Sequence, residues 1–133
     1  MTQEQKDILI KDLCSRLPYG VKVEYENKAF DLEYVCSIYE EVKLDIPETW
    51  TIDVSEVKPY LFPLSSMTDE DYAVYSKIWE DTGKTAYLEG CHHLISTIKA
   101  YKSSADYLLS KHYDIYGLIP IGLAIDSTSK NIY

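Results

Sequence analysis

Apolar and polar residues repeat with two different periods in the first third of the chain. The apolar residues of Gln3–Arg16 recur at helical spacing, and Pro18 and Gly20 end the pattern. Thr2, with Gln5 three positions later, has the sequence pattern of a capping box. We therefore predict an N-terminal amphipathic helix with one buried stripe. Its members are Leu9, Ile10, Leu13, Cys14 and Leu17, with Cys14 as a small buried hydrophobe.

The following segment alternates apolar and polar residues with a period of two, which is typical of strands with one buried face. Polar breaks divide it into three runs, and Asn27 and Lys28 supply the first turn. The runs are Val21–Tyr25, Phe30–Ile38 and Val42–Ile46, and a further short strand is predicted at Trp50–Val54. The pattern predicts an antiparallel meander of three or four strands, covered on its apolar face by the N-terminal helix.

A second helix is predicted to follow an apolar, proline-containing connection at Pro59–Met67. Thr68 is its N-cap, and the acidic residues Asp69–Asp71 suit the positive end of the helix dipole. The predicted helix runs through Trp79 and carries aromatic residues at positions i, i+3 and i+7. This aromatic face is the candidate protein-interaction site, formed by Tyr72, Tyr75 and Trp79.

The segment Thr85–His112 fits two readings, either one long helical stripe or two helices. Ser103 and Ser104 are good capping residues, so we favour a break near Lys102 and a short helix from Ser104 to about Lys111. Two or three helices then follow the meander.

The chain ends with an apolar segment, Gly117–Asp126, which glycines and a proline punctuate. Its five large aliphatic side chains predict a buried loop or short strand rather than a ligand loop. Residues 127–133 are expected to fray. We predict one α+β domain over residues 1–133, because nothing in the composition divides the chain.

Charge and composition narrow the classes of function. Lysine and arginine number 13 and the acidic residues 22, which gives a formal net charge of −9. Such a balance argues against direct binding to nucleic acid, which needs clustered cations. Arg16 is the sole arginine, so the chain has few side chains that could bind a phosphate group in bidentate fashion. Thirteen tyrosines against two tryptophans and two phenylalanines suit strands and protein interfaces.

The sequence also bears on compartment and metal binding. The three cysteines are widely spaced and no Cys-x-x-Cys pair occurs, so the pattern favours neither a zinc ribbon nor a redox motif. The opening residues do not resemble a secretory signal, and no long apolar run predicts a membrane span. We therefore expect a cytoplasmic protein, in a host cell, without a cofactor or bound metal.

Two stretches resemble a known family. Lys58–Asp71, with the sequence KPYLFPLSSMTDED, and His112–Asp126, with the sequence HYDIYGLIPIGLAID, are similar to uncharacterised proteins of gut Bacteroidales and their phages and mobile elements. Leu9–Val23 is similar to the opening of that family, whereas Asp81–Ser103 is private to this chain. The resemblance implies a small, phage-linked accessory protein and identifies no catalytic or binding residues.

The residues that could carry chemistry are few. Cys91, His92 and His93 could form a thiol nucleophile or, with His112, a metal site, but adjacent side chains on a helix diverge by about 100°. Packed or surface histidines are the favoured reading. His112 and Asp114 could form a catalytic dyad, but we favour structural roles, with Asp114 satisfying the backbone of the following turn.

Three functions remain open at this point. The favoured one is a non-enzymatic, acidic interaction protein that binds an unidentified protein partner. The second is a small hydrolase or transferase that uses Cys91 with His92 or His93. The third is a structural component of a larger assembly.

Overall fold

In the computed structural model the chain is an α+β protein with an N-terminal helix, a six-stranded mixed sheet and further helices. The structure describes residues 1–47, 50–88 and 93–133 and, within them, the side chains outside 83–97. In chain order the elements are α1 (Gln3–Arg16), β1 (Lys22–Tyr25), β2 (Lys28–Cys36), β3 (Glu41–Leu44), β4 (Ile52–Asp53), β5 (Lys58–Leu61), α2 (Asp69–Leu88), α3 (His93–Ser110) and β6 (Ile125–Asp126).

The sheet has the strand order β4-β3-β2-β1-β5-β6. Strands β1 to β4 pair with their sequence neighbours in antiparallel fashion, which agrees with the predicted meander. The prediction of three or four strands was too low, because β5 adds to β1 in antiparallel fashion and β6 adds to β5 in parallel. Pro59 lies within β5, and its presence made this strand look like a connection.

Helix α1 begins and ends where the sequence predicted, and its capping box is present. The Thr2 hydroxyl accepts a hydrogen bond from the Gln5 amide at 3.2 Å, and the Gln5 side chain accepts one from the Thr2 amide at 2.9 Å. Leu9 and Leu13 are fully buried in the main core together with residues of the sheet. Cys14, however, is exposed, so its predicted burial was wrong. The helix instead turns Asp12 and Arg16 inward.

Strand β2 departs from the predicted alternation after Leu32. Its pairing with β3 shifts by one residue between Leu32 and Tyr34, which is a β-bulge. The bulge pairs Val35 with Val42 and leaves Tyr34 exposed, and Ile38 is exposed because it lies in the turn after β2; both outcomes are contrary to the prediction. An inserted residue reverses which side chains face the core, because side chains alternate strictly along a strand.

Helices α2 and α3 form the second layer of structure and pack mainly against each other. Helix α2 extends to Leu88, beyond the predicted end at Trp79. Helix α3 continues through Lys102, so the predicted break there was wrong. The Ser104 hydroxyl donates to the Ala100 carbonyl at 2.8 Å, so this serine bonds within the helix instead of capping a new one.

The apolar C-terminal segment, predicted to be buried, is buried only in part, and Ile119 and Ile125 are half-buried. Leu118 and Leu123 belong to the main core, whereas Ile121 is 49% exposed. The residues that follow were expected to fray, and this expectation was wrong. Ser127 is fully buried, and the Tyr133 hydroxyl donates to the Tyr60 carbonyl at 2.8 Å. No helix in the described ranges is both long enough and apolar enough to span a bilayer.

Candidate functional site

A cavity of about 510 Å³ lies where the C-terminal end of α3 meets the start of α2 and the end of β5. We call it the C-terminal cavity. The Phe62 amide donates to the His112 carbonyl at 2.8 Å, which ties the residues after α3 to the end of β5. Its walls include Phe62, Asp71, Lys111, His112, Tyr113 and Tyr133.

His112 lies at the junction of these elements in a left-handed backbone conformation, with φ of 65°. Its ring stacks on the Tyr133 ring, with centroids 3.6 Å apart and planes 10° apart. The His112 Nδ1 is buried without a hydrogen-bond partner. Burial, and then the positive charges of Arg16 and Lys111, lower the pKa of His112 to about 4. The imidazole is therefore neutral at pH 7.

A fully buried ion pair lies next to the cavity and contacts the backbone of Tyr113, one of its wall residues. The Arg16 guanidinium donates from Nε and Nη2 to the two Asp12 oxygens, each at 2.8 Å. Nη2 also donates to the Tyr113 carbonyl at 2.7 Å. Burial raises the pKa of Asp12, and the hydrogen bonds and charge of Arg16 oppose that rise. The arginine thus joins α1 to the turn after α3.

Asp114 is buried, and it caps the turn that follows. Its two carboxylate oxygens accept from the amides of Leu118 at 2.8 Å and Ile119 at 2.9 Å. This is the backbone role that the sequence predicted, and both oxygens point toward the C-terminal segment. The structure therefore gives Asp114 a role in building the turn rather than in orienting the His112 imidazole.

Asp71 is the carboxylate that faces the cavity. Its oxygens accept from the hydroxyls of Tyr107 at 2.9 Å and Tyr113 at 2.7 Å. Its amide donates to the Thr68 hydroxyl at 3.1 Å, which confirms Thr68 as the N-cap. The hydrogen bond from Tyr113 is the main cause that lowers the pKa of Asp71. Burial and the bond to Asp71 raise the pKa of Tyr107 to about 12.

The neutral state of His112 predicts a loss of stability in mild acid. Unfolded histidine binds a proton near pH 6.5, whereas folded His112 binds one only near pH 4, so the free energy of unfolding falls as the pH is lowered between these values. We expect the loss to be about 1–2 kcal/mol, after discounting for a ring that is only half-buried. Urea unfolding of wild type and His112→Asn at pH 7 and pH 4.5 measures it, since asparagine also tolerates the left-handed backbone. Equal pH-dependent losses in both proteins would exclude His112 as the cause.

Two of the three predicted interaction residues of α2 belong to a second, open surface. The Trp79 and Tyr101 rings contact each other edge to face, with centroids 6.4 Å apart. Tyr75 and Tyr101 line a shallow groove of about 170 Å³ with Leu64. We call this region the helical aromatic surface and define it as Leu64, Tyr75, Trp79, Ile98 and Tyr101. Tyr72, also predicted, is exposed one turn before Tyr75.

The remaining predicted site residues lie outside what the structure describes. Cys91 and His92 fall between the described ranges, and the His93 side chain is likewise not described. Within the described part of the chain, no group of three or more histidine, cysteine or acidic residues is placed to hold a metal ion.

Comparison of the chain with models of protein families, with curated protein sequences and with solved structures returns no match.

Sequence reasoning missed much of the C-terminal cavity. It treated Asp71 only as a helix-capping acid, and it assigned no role to Tyr107, Tyr113 or Tyr133. Asp71 meets Tyr107 and Tyr113, which lie 36 and 42 positions away in the chain. The abundance of tyrosine was the one available signal, and it does not say which hydroxyls meet a carboxylate.

Proposed function

We propose that this protein acts by binding another protein through its helical aromatic surface. The observation that carries the proposal is the exposure of large apolar side chains on two packed helices. Trp79 is 37%, Ile98 58% and Tyr101 67% exposed. Tyrosine and tryptophan are enriched at protein interfaces, because a rigid ring buries much area at a small entropy cost.

The exposed rings belong to one surface rather than to scattered positions. Trp79 on α2 contacts Tyr101 on α3, and Ile98 lies one helical turn before Tyr101. Tyr39, in contrast, is 73% exposed next to Ile38 in the turn between β2 and β3, and not on α2 or α3. A contiguous apolar surface that spans two helices is typical of a binding site.

The charge of the chain supports a basic partner. The formal net charge of −9 favours encounter with a positively charged surface, and Asp69 and Glu70 lie at the start of α2, just before the exposed Tyr72. A partner whose basic surface normally contacts nucleic acid has this chemistry. The accessory role implied by the resemblance to phage and mobile-element proteins agrees with such an activity.

Substitution of the exposed rings tests the proposal. We expect Trp79→Ser/Tyr101→Ser to retain at most about one tenth of the partner protein in affinity capture from the native cells, because truncation of a central aromatic residue costs about 2 kcal/mol or more. Tyr39→Ser is the matched control, with an equally exposed ring removed elsewhere, and it should capture as wild type does. Equal capture by the double variant, with an unchanged circular dichroism spectrum, would contradict the proposal.

A hydrolase or transferase that uses Cys91 with His92 or His93 is the second candidate function. A reactive Cys91 thiol would be partly exposed beside a histidine and would label quickly with a thiol reagent at neutral pH. Slow labelling of Cys91, relative to the exposed Cys14 in the same protein, would remove this candidate. Sedimentation separates the third, a component of a larger assembly, from a monomeric binder.

A further inference from the structure

We propose that the C-terminal cavity binds a small organic compound that carries a primary ammonium group on an apolar body, with Asp71 as its counter-ion. The proposal is independent of the helical aromatic surface. The cavity, of about 510 Å³, is large enough for such a compound.

The Asp71 carboxylate is held in place before any ligand arrives. Each of its oxygens accepts one phenolic hydrogen bond, from Tyr107 and from Tyr113, and keeps capacity for a further donor. The ion pairs between described side chains do not include Asp71. A charged and oriented carboxylate at a cavity wall is the group that an ammonium ion binds most strongly.

The other walls suit an apolar body next to a cation. The Phe62 ring lies 6.3 Å from the Tyr113 ring and 6.0 Å from the Tyr133 ring, measured between centroids. Aromatic rings bury apolar groups, and their faces attract ammonium ions. An organic cation therefore matches both the rings and the carboxylate.

The polar groups of the cavity mostly accept hydrogen bonds. The hydroxyls of Ser66 and Ser110 donate their single protons to the carbonyls of Pro63 and Tyr107, so toward a ligand they can only accept. An ammonium group offers only donors. The residues after the C-terminal end of α3 also face the cavity, and the dipole there favours positive charge.

Lys111 is the lysine that lines the cavity, and it opposes a cationic ligand. Its Nζ lies 5.9 Å from the centroid of the Tyr107 ring. The positive N-terminal end of α2 also faces the cavity, and the first-turn acids Asp69–Asp71 offset it. Removal of the Lys111 charge should therefore strengthen binding of an amine, whereas it would weaken binding of an anion.

Three probes that share a phenyl ring and a two-carbon stem test the proposal by NMR titration of the full chain. They are phenethylamine, 2-phenylethanol and phenylacetate, which are cationic, neutral and anionic at pH 7. We expect phenethylamine to shift the amide signals of the cavity residues and to bind at least about tenfold more tightly than the other two probes, since its charge-assisted bond is absent from them. Asp71→Asn should weaken phenethylamine binding about tenfold, and Lys111→Ala should strengthen it.

The proposal is overturned if the alcohol or phenylacetate binds as tightly as the amine, or if millimolar phenethylamine shifts no cavity signal. It is also overturned if a folded Asp71→Asn protein binds the amine as wild type does. If Asp71→Asn fails to fold, Lys111→Ala decides, since Lys111 is an exposed residue. Stronger amine binding by Lys111→Ala supports the proposal, and weaker binding contradicts it.

Discussion

Replacement of Arg16 with methionine is expected to lower the free energy of unfolding by about 3–5 kcal/mol, the usual cost of removing one partner of a buried ion pair. Arg16 and Asp12 are both fully buried, so the substitution leaves a carboxylate without its two charge-assisted hydrogen bonds. The Tyr113 carbonyl loses its donor as well. Urea unfolding at pH 7 measures the change.

The matched control removes both charges. Asp12→Leu/Arg16→Met should recover most of the lost stability, because well-packed apolar residues often replace a buried ion pair at little cost. A loss below about 1 kcal/mol for Arg16→Met alone, the range of surface substitutions, would contradict a stabilising role for this pair. A double variant less stable than Arg16→Met would contradict that role as well.

Leu123→Ala has the second large expected effect, a loss of about 2–5 kcal/mol in the free energy of unfolding. Leu123 is buried in the main core with Leu118, so the shorter side chain leaves a cavity. A loss of this size is a large part of the 5–15 kcal/mol that typically stabilises a domain. Denaturant unfolding of the variant gives the number directly.

Ile121→Ala provides the control within the same segment. Ile121 is 49% exposed, two residues before Leu123, so its truncation should cost less than about 1 kcal/mol. If Leu123→Ala costs no more than Ile121→Ala, the segment is not packed as described and becomes a candidate for partner binding.

Local patterns predicted the first half of the fold well. The capping box at Thr2 and Gln5 fixed the start of α1, and period-two alternation located β1 to β3. These features depend on residues a few positions apart, which a single sequence displays. Alternation failed at the bulge after Leu32, because one inserted residue changes the register without changing the composition of the strand.

Features that depend on distant contacts could not be predicted. Asp12 and Arg16, spaced i and i+4, look like an exposed pair on a helix, yet both are fully buried and Arg16 bonds the Tyr113 carbonyl 97 positions away. The error at Ser104 was local instead, because a serine can either cap a helix or, as here, donate to a carbonyl four residues earlier within it.

The end of the chain shows the same limit. The terminal position suggested that 127–133 would fray, yet the Tyr133 hydroxyl donates to the Tyr60 carbonyl and accepts from the Lys22 amide, 73 and 111 positions away. The Tyr133 ring also stacks on His112. The candidate cavity exists because of these contacts, so no local motif reveals it.

Site-specific photo-crosslinking tests the central claim, protein binding through the helical aromatic surface, most directly. A photoreactive phenylalanine analogue replaces Tyr101 in one protein and Tyr39 in a control, and both are irradiated in the native cells. We predict a covalent adduct with a different protein at position 101 and none at position 39. Absence of any adduct at position 101, or equal adducts at both positions, would contradict the claim, and an adduct between two copies of this chain would replace it with self-assembly.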